Sequence, residues 1–214
     1  MSQSTLKIIA MLTMLIDHIG AVLFPEIALF RIIGRIAFPI FAYIVADGCK
    51  YTKNKPKYLL RLVLCALSFQ IVRWIVDRNF TPSVVWGYAL VVIFAITLDW
   101  AKQKWNTRYI IPTLFAIWSG LITLVFRWEY LFFPLLIGLA AYLISKPWMK
   151  WLSIAALLVF LGMTAEYQLW CLLALPILML YNGQRGSIRL KYTLYIFYPL
   201  HYILLGVIKY VYFS

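Results

Sequence analysis

The chain has 214 residues, 64% of them hydrophobic and 18% aromatic, with only 13% charged and a formal net charge of +13. No water-soluble domain of this length hides so much apolar surface, so the composition excludes that class and points to an all-α, polytopic membrane bundle. The location of the positive charge argues against a nucleic-acid partner. The cations fall in short clusters between apolar runs, as in loops on a cytoplasmic membrane face.

Taken in order, the apolar runs predict about nine transmembrane helices, within a range of eight to ten, in one domain over 1–214. The first covers 6–25 and is closed by Pro25 and Glu26. The second covers 29–48 and leads to a basic loop with Lys50, Lys53, Lys55 and Lys57. The third, 58–77, ends in a turn containing Asp77, Arg78, Asn79 and Pro82; the fourth is 83–101. Lys102, Lys104 and Arg108 precede a fifth at 109–127, and the sixth, seventh and eighth follow at 129–145, 150–165 and 167–181. The loop NGQRGSIRLK (182–191) leads to the ninth, 192–213. The thinnest divisions are at Arg127/Glu129 and at Glu166. The N-terminal run is expected to remain as the first span, because it is long and carries Asp17 and His18, unlike a cleavable signal peptide. Cys49, Cys65 and Cys171 lack metal or redox spacing and read as small apolar residues, so no metal is expected.

With nine spans, fourteen of the 20 Lys and Arg residues fall on the side of the N-terminus, which places that end in the cytoplasm of a multi-pass cell-membrane protein.

The stretch KIIAMLTMLIDHIG (7–20) carries the chemistry of the first span. An ionisable pair in an apolar helix, here Asp17 and His18, marks a functional site by default. Lys7 and His18 stand eleven residues apart, so both project from one face, about 16 Å apart along the axis. Asp17 and His18 diverge by about 100°, so no Asp17–His18 dyad is expected. Arg31 and Arg35 share a face of the second span, with Arg35 at the depth of Asp17 and Arg31 nearer the surface. Gly34 between them admits a close neighbour. Arg35 either bridges structurally to Asp17 or, with Arg31, orients an anionic or carbonyl group beside His18, and both can hold together.

His201, in YPLH, is the second of the two histidines and lies near mid-membrane. It is either a hydrogen-bonded packing residue or a partner of His18 in a shared cavity. A neutral imidazole there could take a proton from an amine or hydroxyl. Pro199 frees a backbone carbonyl in the same helix, as is common beside a membrane cavity. On the inner face, a phosphorylated donor could be held by the cluster Lys50–Lys57. The better candidate is Arg185, Arg189 and Lys191, where Gly183 and Gly186 let backbone amides approach an anion. Both clusters also read as ordinary positive-inside loops, and Lys7 as a helix-end anchor.

The same residues resemble a known family. The run K-IIAMLTMLI-DHIG-VLFP at 7–25 is similar to the opening signature of TraX proteins, and RIIGRIAFPIFAYIVADG (31–48) follows it. The likeness continues in YTKNKPKYLLRL (51–62), NG-RG (182–186) and YxxYPLH (195–201). TraX proteins are known for acetylating the pilin N-terminus in conjugation, and they resemble the wider acyltransferase-3 type of membrane enzyme. That type carries a basic residue, ten residues and a histidine in its first span, as do Lys7 and His18, and arginines in an early span, matched here by Arg31 and Arg35.

The resemblance implies an acyl-CoA-dependent acetyltransferase with acetyl-CoA as its donor. Catalytic roles then fall to His18, Arg35, Asp17 and His201, and donor binding to Lys7, Arg31, Arg185, Arg189, Gly183 and Gly186. His18 would act as general base or carry the acetyl group, Arg35 would stabilise the oxyanion or position the acceptor, and His201 would assist or line the acceptor cavity. The acceptor would be a pilin, peptide, sugar or lipid, in contact with membrane lipids and within an oligomer or a monomer. The rival reading is a small proton-coupled transporter or flippase using the same intramembrane groups.

Overall fold

The fold is that of a computed structural model, described here for residues 1–104, 110–125, 128–188, 190 and 192–213. All regular structure among these residues is helical: α1 (Gln3–Leu23), α2 (Ala28–Gly34), α3 (Ala37–Tyr51), α4 (Lys55–Asp77), α5 (Val84–Lys104), α6 (Ile110–Val125), α7 (Phe133–Leu143), α8 (Pro147–Gly162), a 3-10 turn (Gln168–Leu173), α9 (Ala174–Met179) and α10 (Thr193–Phe213). Each of the nine apolar runs contains helix. Five segments are long and apolar enough to cross a membrane: Gln3–Leu23, Ala28–Tyr51, Lys55–Asp77, Val84–Lys102 and Thr193–Tyr212. The other four are shorter, and the 11 residues of α7 reach only about 16 Å.

Prolines explain where the expected spans are cut. The second breaks after Gly34 because Pro39 has no N–H and its ring crowds the carbonyl of Arg35, four residues back. The chain tightens there, with the Ile36 amide donating to Ile33 O at 3.3 Å, and α3 starts afresh with Pro39 in its first turn. Pro176 acts likewise on the carbonyl of Leu172, so the eighth run becomes a 3-10 turn followed by the six residues of α9. The sixth run starts late, because Tyr130 and Leu131 take left-handed conformations (φ 58° and 50°) before Pro134 opens α7.

Helix α1 packs against α2, α3 and α10, α4 lies between α5 and α10, and α5 also meets α3 and α7. The core runs through α3 and α5, where Ile40, Ala42, Ala46, Val91, Val92 and Ala95 are buried. On α4, by contrast, Leu60, Leu64, Leu67, Ile71 and Ile75 face outward. A continuous exposed leucine and isoleucine stripe on a 23-residue helix is what a hydrocarbon environment tolerates.

The N-terminus is sewn to the 180–188 loop. The Gln3 and Ser4 amides donate to Gln184 O (2.7 Å) and Arg185 O (3.2 Å), and Ser4 Oγ donates to Arg185 O (2.7 Å) and Ile188 O (2.8 Å). These carbonyls satisfy donors that the first turn of α1 cannot use internally. They also carry Arg185 to the mouth of the cavity beside Lys7.

Candidate functional site

Two cavities meet inside the bundle. The larger, about 810 Å³, is lined by Lys7, Asp47, Lys53, Arg61, Tyr181, Gly183, Arg185 and Gly186 among others. The smaller, about 400 Å³, is lined by Asp17, His18, Arg31, Arg35, Arg73, Glu129 and Tyr130. Phe41, Tyr88 and Tyr198 line both and form the wall between them. Lys7 and His18 therefore share a helix face, as their spacing predicts, yet open into different chambers with three aromatic rings between.

The larger chamber holds four cations against one carboxylate among the described residues. Asp47 accepts from Tyr181 Oη at 2.8 Å and from Gln3 Nε2 at 3.4 Å, and Lys7 Nζ donates to Gln3 Oε1 at 3.2 Å. Burial, together with hydrogen bonding to Asp47, pushes the Tyr181 hydroxyl above its usual pKa, so it stays protonated. Arg61 packs over the Tyr58 ring, and its buried Nε has no hydrogen-bond partner. An unsatisfied guanidinium nitrogen beside three other cations favours an anion. Gly183 and Gly186 adopt φ of 76° and 79°, and a side chain at Gly186 would strike Ser2 and Ser4.

Of the Lys50–Lys57 cluster, Lys53 lines this chamber. Lys50 instead donates to Ala141 O at 2.6 Å, and Lys55 pairs with Asp99. Arg189 and Lys191 lie outside the described residues, as do Arg108 and Arg127. Arg31, expected with the donor-binding set, lines the other chamber. It sits one helical turn before Arg35 and is drawn to Asp17, away from Lys7 and Arg185.

Asp17 organises the smaller chamber. Arg35 Nη2 approaches both of its carboxylate oxygens, at 2.6 and 2.8 Å, and Arg31 Nη1 lies 3.1 Å from Oδ2. The expected Asp17–Arg35 bridge is thus present, with Arg31 as a second cation. Gly34 makes the bridge possible, since any side chain there would overlap that of Asp17. The other two nitrogens of Arg35 also donate, Nε to Arg31 O (3.3 Å) and Nη1 to Tyr130 Oη (2.7 Å). With its side chain only 6% exposed, Arg35 is a fixed strut, whereas Arg31 is 29% exposed. Arg73 Nη1 pairs with Glu129 Oε1 at 2.8 Å, and Glu129 Oε2 accepts from the Val84 amide at 3.1 Å. Enclosure pushes the Glu129 carboxyl pKa up, while Arg73 and the Val84 amide pull it back.

The two histidines touch. His18 Nδ1 lies 2.5 Å from His201 Nε2, and His201 Nδ1 lies 2.7 Å from Phe197 O. The ring planes are within 10° and the centroids 4.9 Å apart, so the imidazoles meet edge to edge rather than face to face. A carbonyl only accepts, so His201 Nδ1 carries a proton and its Nε2, in the neutral ring, accepts from His18 Nδ1–H. The neutral His18 then presents Nε2 as a bare lone pair, with no protein partner among the described residues. His201 does not line the chamber; it stands behind His18 and sets its tautomer. Of the two readings of His201, the hydrogen-bonded residue is the one the geometry matches, rather than a ring sharing the cavity. Pro199 does free a carbonyl, that of Tyr195, which Cys65 Sγ approaches at 3.8 Å. Asp17 makes no bond to His18, in keeping with their divergence on the helix.

Sequence reasoning missed Arg73, Glu129 and Tyr130. In the nine-span topology Arg73 and Glu129 both fall on the side opposite the N-terminus, and their opposite signs there were the available signal. Tyr130 gave none, because its placement depends on a left-handed turn and on stacking against Phe38 at 4.1 Å.

The model of the TraX protein family matches residues 2–209. The chain belongs to the TraX family. An uncharacterised protein of Rickettsia prowazekii (strain Madrid E) is 40% identical over 81 residues, covering 38% of this chain and 31% of that protein's own length. A "Probable fimbrial assembly protein FimC, serogroup H1" of Dichelobacter nodosus is 25% identical over 229 residues, covering 94% of this chain and 92% of its own. No solved structure matches. The family match spans every element that builds the two chambers, from Lys7 and His18 on α1 to His201 on α10. Among the described residues of this TraX chain, no group of three or more His, Cys, Asp or Glu could hold a metal ion.

Proposed function

We propose that this TraX protein is a cell-membrane acetyltransferase, with its N-terminus in the cytoplasm, that uses acetyl-CoA as donor. The single observation that carries this reading is the pair of chambers of unlike chemistry. A cation-rich chamber beside Lys7, Arg61 and Arg185 suits the phosphates of the donor, and a chamber with a free imidazole nitrogen suits the acceptor. The 16 Å or so between the levels of Lys7 and His18 suits a long pantetheine arm, whose thioester reaches His18 between Phe41, Tyr88 and Tyr198.

The acceptor amine or hydroxyl gives its proton to His18 Nε2 as its lone pair attacks the thioester carbonyl carbon. A C–N or C–O bond forms, the C–S bond breaks, and the CoA thiolate leaves and takes up the proton held on His18 Nε2. His201 holds His18 in the tautomer this requires. Tyr130 accepts from Arg35, so its own O–H is free to donate to the oxyanion. Arg35 supports the oxyanion through Tyr130, and Asp17 positions Arg35. The relative named as a probable fimbrial assembly protein supports a fimbrial protein as acceptor, and its N-terminal amine is what the family resemblance implies.

The test is thermal stabilisation of the purified protein by acetyl-CoA, run beside acetyl transfer by His18→Ala. A rise in Tm with acetyl-CoA in both proteins and loss of transfer only in the variant is expected. A protein that acetyl-CoA does not stabilise, as a transporter using the same buried charges would behave, overturns the reading.

A further inference from the structure

The wall between the two chambers carries one uncommitted polar side-chain atom among the described residues. Phe41, Tyr88 and Tyr198 line both sides of it. Phe41 has no polar side-chain atom, and Tyr88 Oη already donates to Phe38 O at 3.1 Å. Tyr198 is only 8% exposed, yet its hydroxyl has no hydrogen-bond partner among the described residues. A phenol enclosed without a partner is costly, so its O–H is offered to whatever passes through the wall.

Packing fixes where that hydroxyl stands. The Tyr198 ring meets Phe69 edge-on with centroids 4.4 Å apart, and stands edge-on to His201, one helical turn later on α10, at 6.0 Å. The hydroxyl lies within electrostatic reach of Cys65, which lines the larger chamber, and of Arg73, Glu129 and Tyr130, which line the smaller. It therefore marks the crossing point from one chamber to the other.

On the acetyltransferase reading, the acyl carbon lies in the His18 chamber and the pantetheine arm in the other. The C–S bond then crosses the wall, with the sulfur beside Tyr198 and the carbonyl oxygen farther in, toward Tyr130. As the acceptor attacks, the C–S electron pair collects on sulfur. Between aromatic rings a developing thiolate lacks water and needs a donor. A hydrogen bond that strengthens only as this charge develops favours the transition state over the bound thioester.

We infer that Tyr198 is a further catalytic residue, its O–H donating to the departing CoA sulfur while His18 takes the acceptor's proton. This rests on the acetyltransferase reading and assigns the leaving-group side of the same reaction. No proton leaves Tyr198. The C–S bond breaks, the sulfur takes the electron pair under the phenol's hydrogen bond, and the proton held on His18 Nε2 then passes to it.

The test uses the full chain in nanodiscs of phosphatidylcholine, as wild type and as Tyr198→Phe, which keeps the ring and loses one oxygen. Acetyl transfer to amidated peptides with free N-terminal amines should fall about 100-fold in kcat, with little change in the KM for acetyl-CoA. A second measurement needs no acceptor. Binding of CoA is compared with binding of S-methyl-CoA, which cannot ionise, across the ordinary thiol pKa of about 8.5. In the wild type, CoA should gain about tenfold over S-methyl-CoA as the thiol ionises, because the thiolate accepts a charge-assisted bond. That gain should vanish in Tyr198→Phe and persist in Tyr88→Phe, whose hydroxyl is committed to Phe38. Wild-type kcat in Tyr198→Phe, a CoA preference that never rises with pH, one that survives in Tyr198→Phe, or one lost equally in Tyr88→Phe overturns the inference. A Tyr198→Phe chain that no longer binds S-methyl-CoA makes the hydroxyl structural and overturns it too. A wild type that binds neither ligand refutes the parent reading, and the inference falls with it. A wild type that shows the pH-dependent gain without transfer leaves Tyr198 as a thiolate ligand and refutes the transferase.

Discussion

His18 Nδ1 and His201 Nε2 are 2.5 Å apart, although 183 residues separate them in the chain, and the Phe197 carbonyl behind His201 fixes the direction of the proton chain. On the proposed reading His18 is the one of the two histidines that meets the acceptor, and His201 acts through it. Replacing His201 by Ala should lower kcat about 10–100-fold with little change in the KM for acetyl-CoA, the usual cost of losing an orienting partner. His201→Gln, which can still accept from His18, should recover part of the loss. Steady-state kinetics on the three proteins check this, and a merely structural role would not give the rescue.

Asp17 compensates two guanidinium groups and Arg35 only one carboxylate, so their removal should not be equivalent. Asp17→Asn leaves two cations without a counter-charge and should cost about 3–5 kcal/mol of stability. Arg35→Gln leaves Asp17 paired with Arg31 and should cost distinctly less. Unfolding in detergent, followed for both variants, measures the asymmetry.

Gly34 is where α2 comes against Asp17, and an added methyl would overlap the carboxylate. Gly34→Ala should destabilise by roughly 1–3 kcal/mol through overpacking and should also lower transfer, since the Asp17–Arg35 bridge must shift. Gly183→Ala has open space around it and only its φ of 76° against it, so it should be milder. Thermal melts of the two proteins side by side check the order.

These predictions also divide what could be read along the chain from what could not. Hydropathy runs show the helices, because an apolar stretch of about 20 residues has few alternatives to crossing a membrane. The ends of several are displaced because Pro39 and Pro176 act on carbonyls one turn earlier. The Asp17–Arg35 bridge was legible because both groups fall at one depth on antiparallel neighbours. The His18–His201 bond was legible only as a shared depth, since which ring faces the chamber depends on how α10 rotates against α1. The Arg73–Glu129 pair was legible only as opposite charges on one side, and Tyr130 not at all, because a left-handed turn after α6 sets its place.

The aromatic wall should matter for coupling rather than for binding. Phe41 lines both chambers, so Phe41→Ala should let water meet the thioester and raise the ratio of acetyl-CoA hydrolysis to transfer several-fold. Parallel assays of released thiol and of acetylated product give that ratio.

The most direct measurement is acetyl transfer across the membrane of sealed proteoliposomes. Labelled acetyl-CoA is supplied on the Lys7 side and a set of amidated peptides with free N-terminal amines on the other. Labelled peptide with the wild-type protein, and none with a folded His18→Ala variant that still gains Tm from acetyl-CoA, is the expected result. Labelling that persists undiminished in His18→Ala, or no labelling by the wild type, would contradict the assignment of His18 as the group that receives the acceptor's proton.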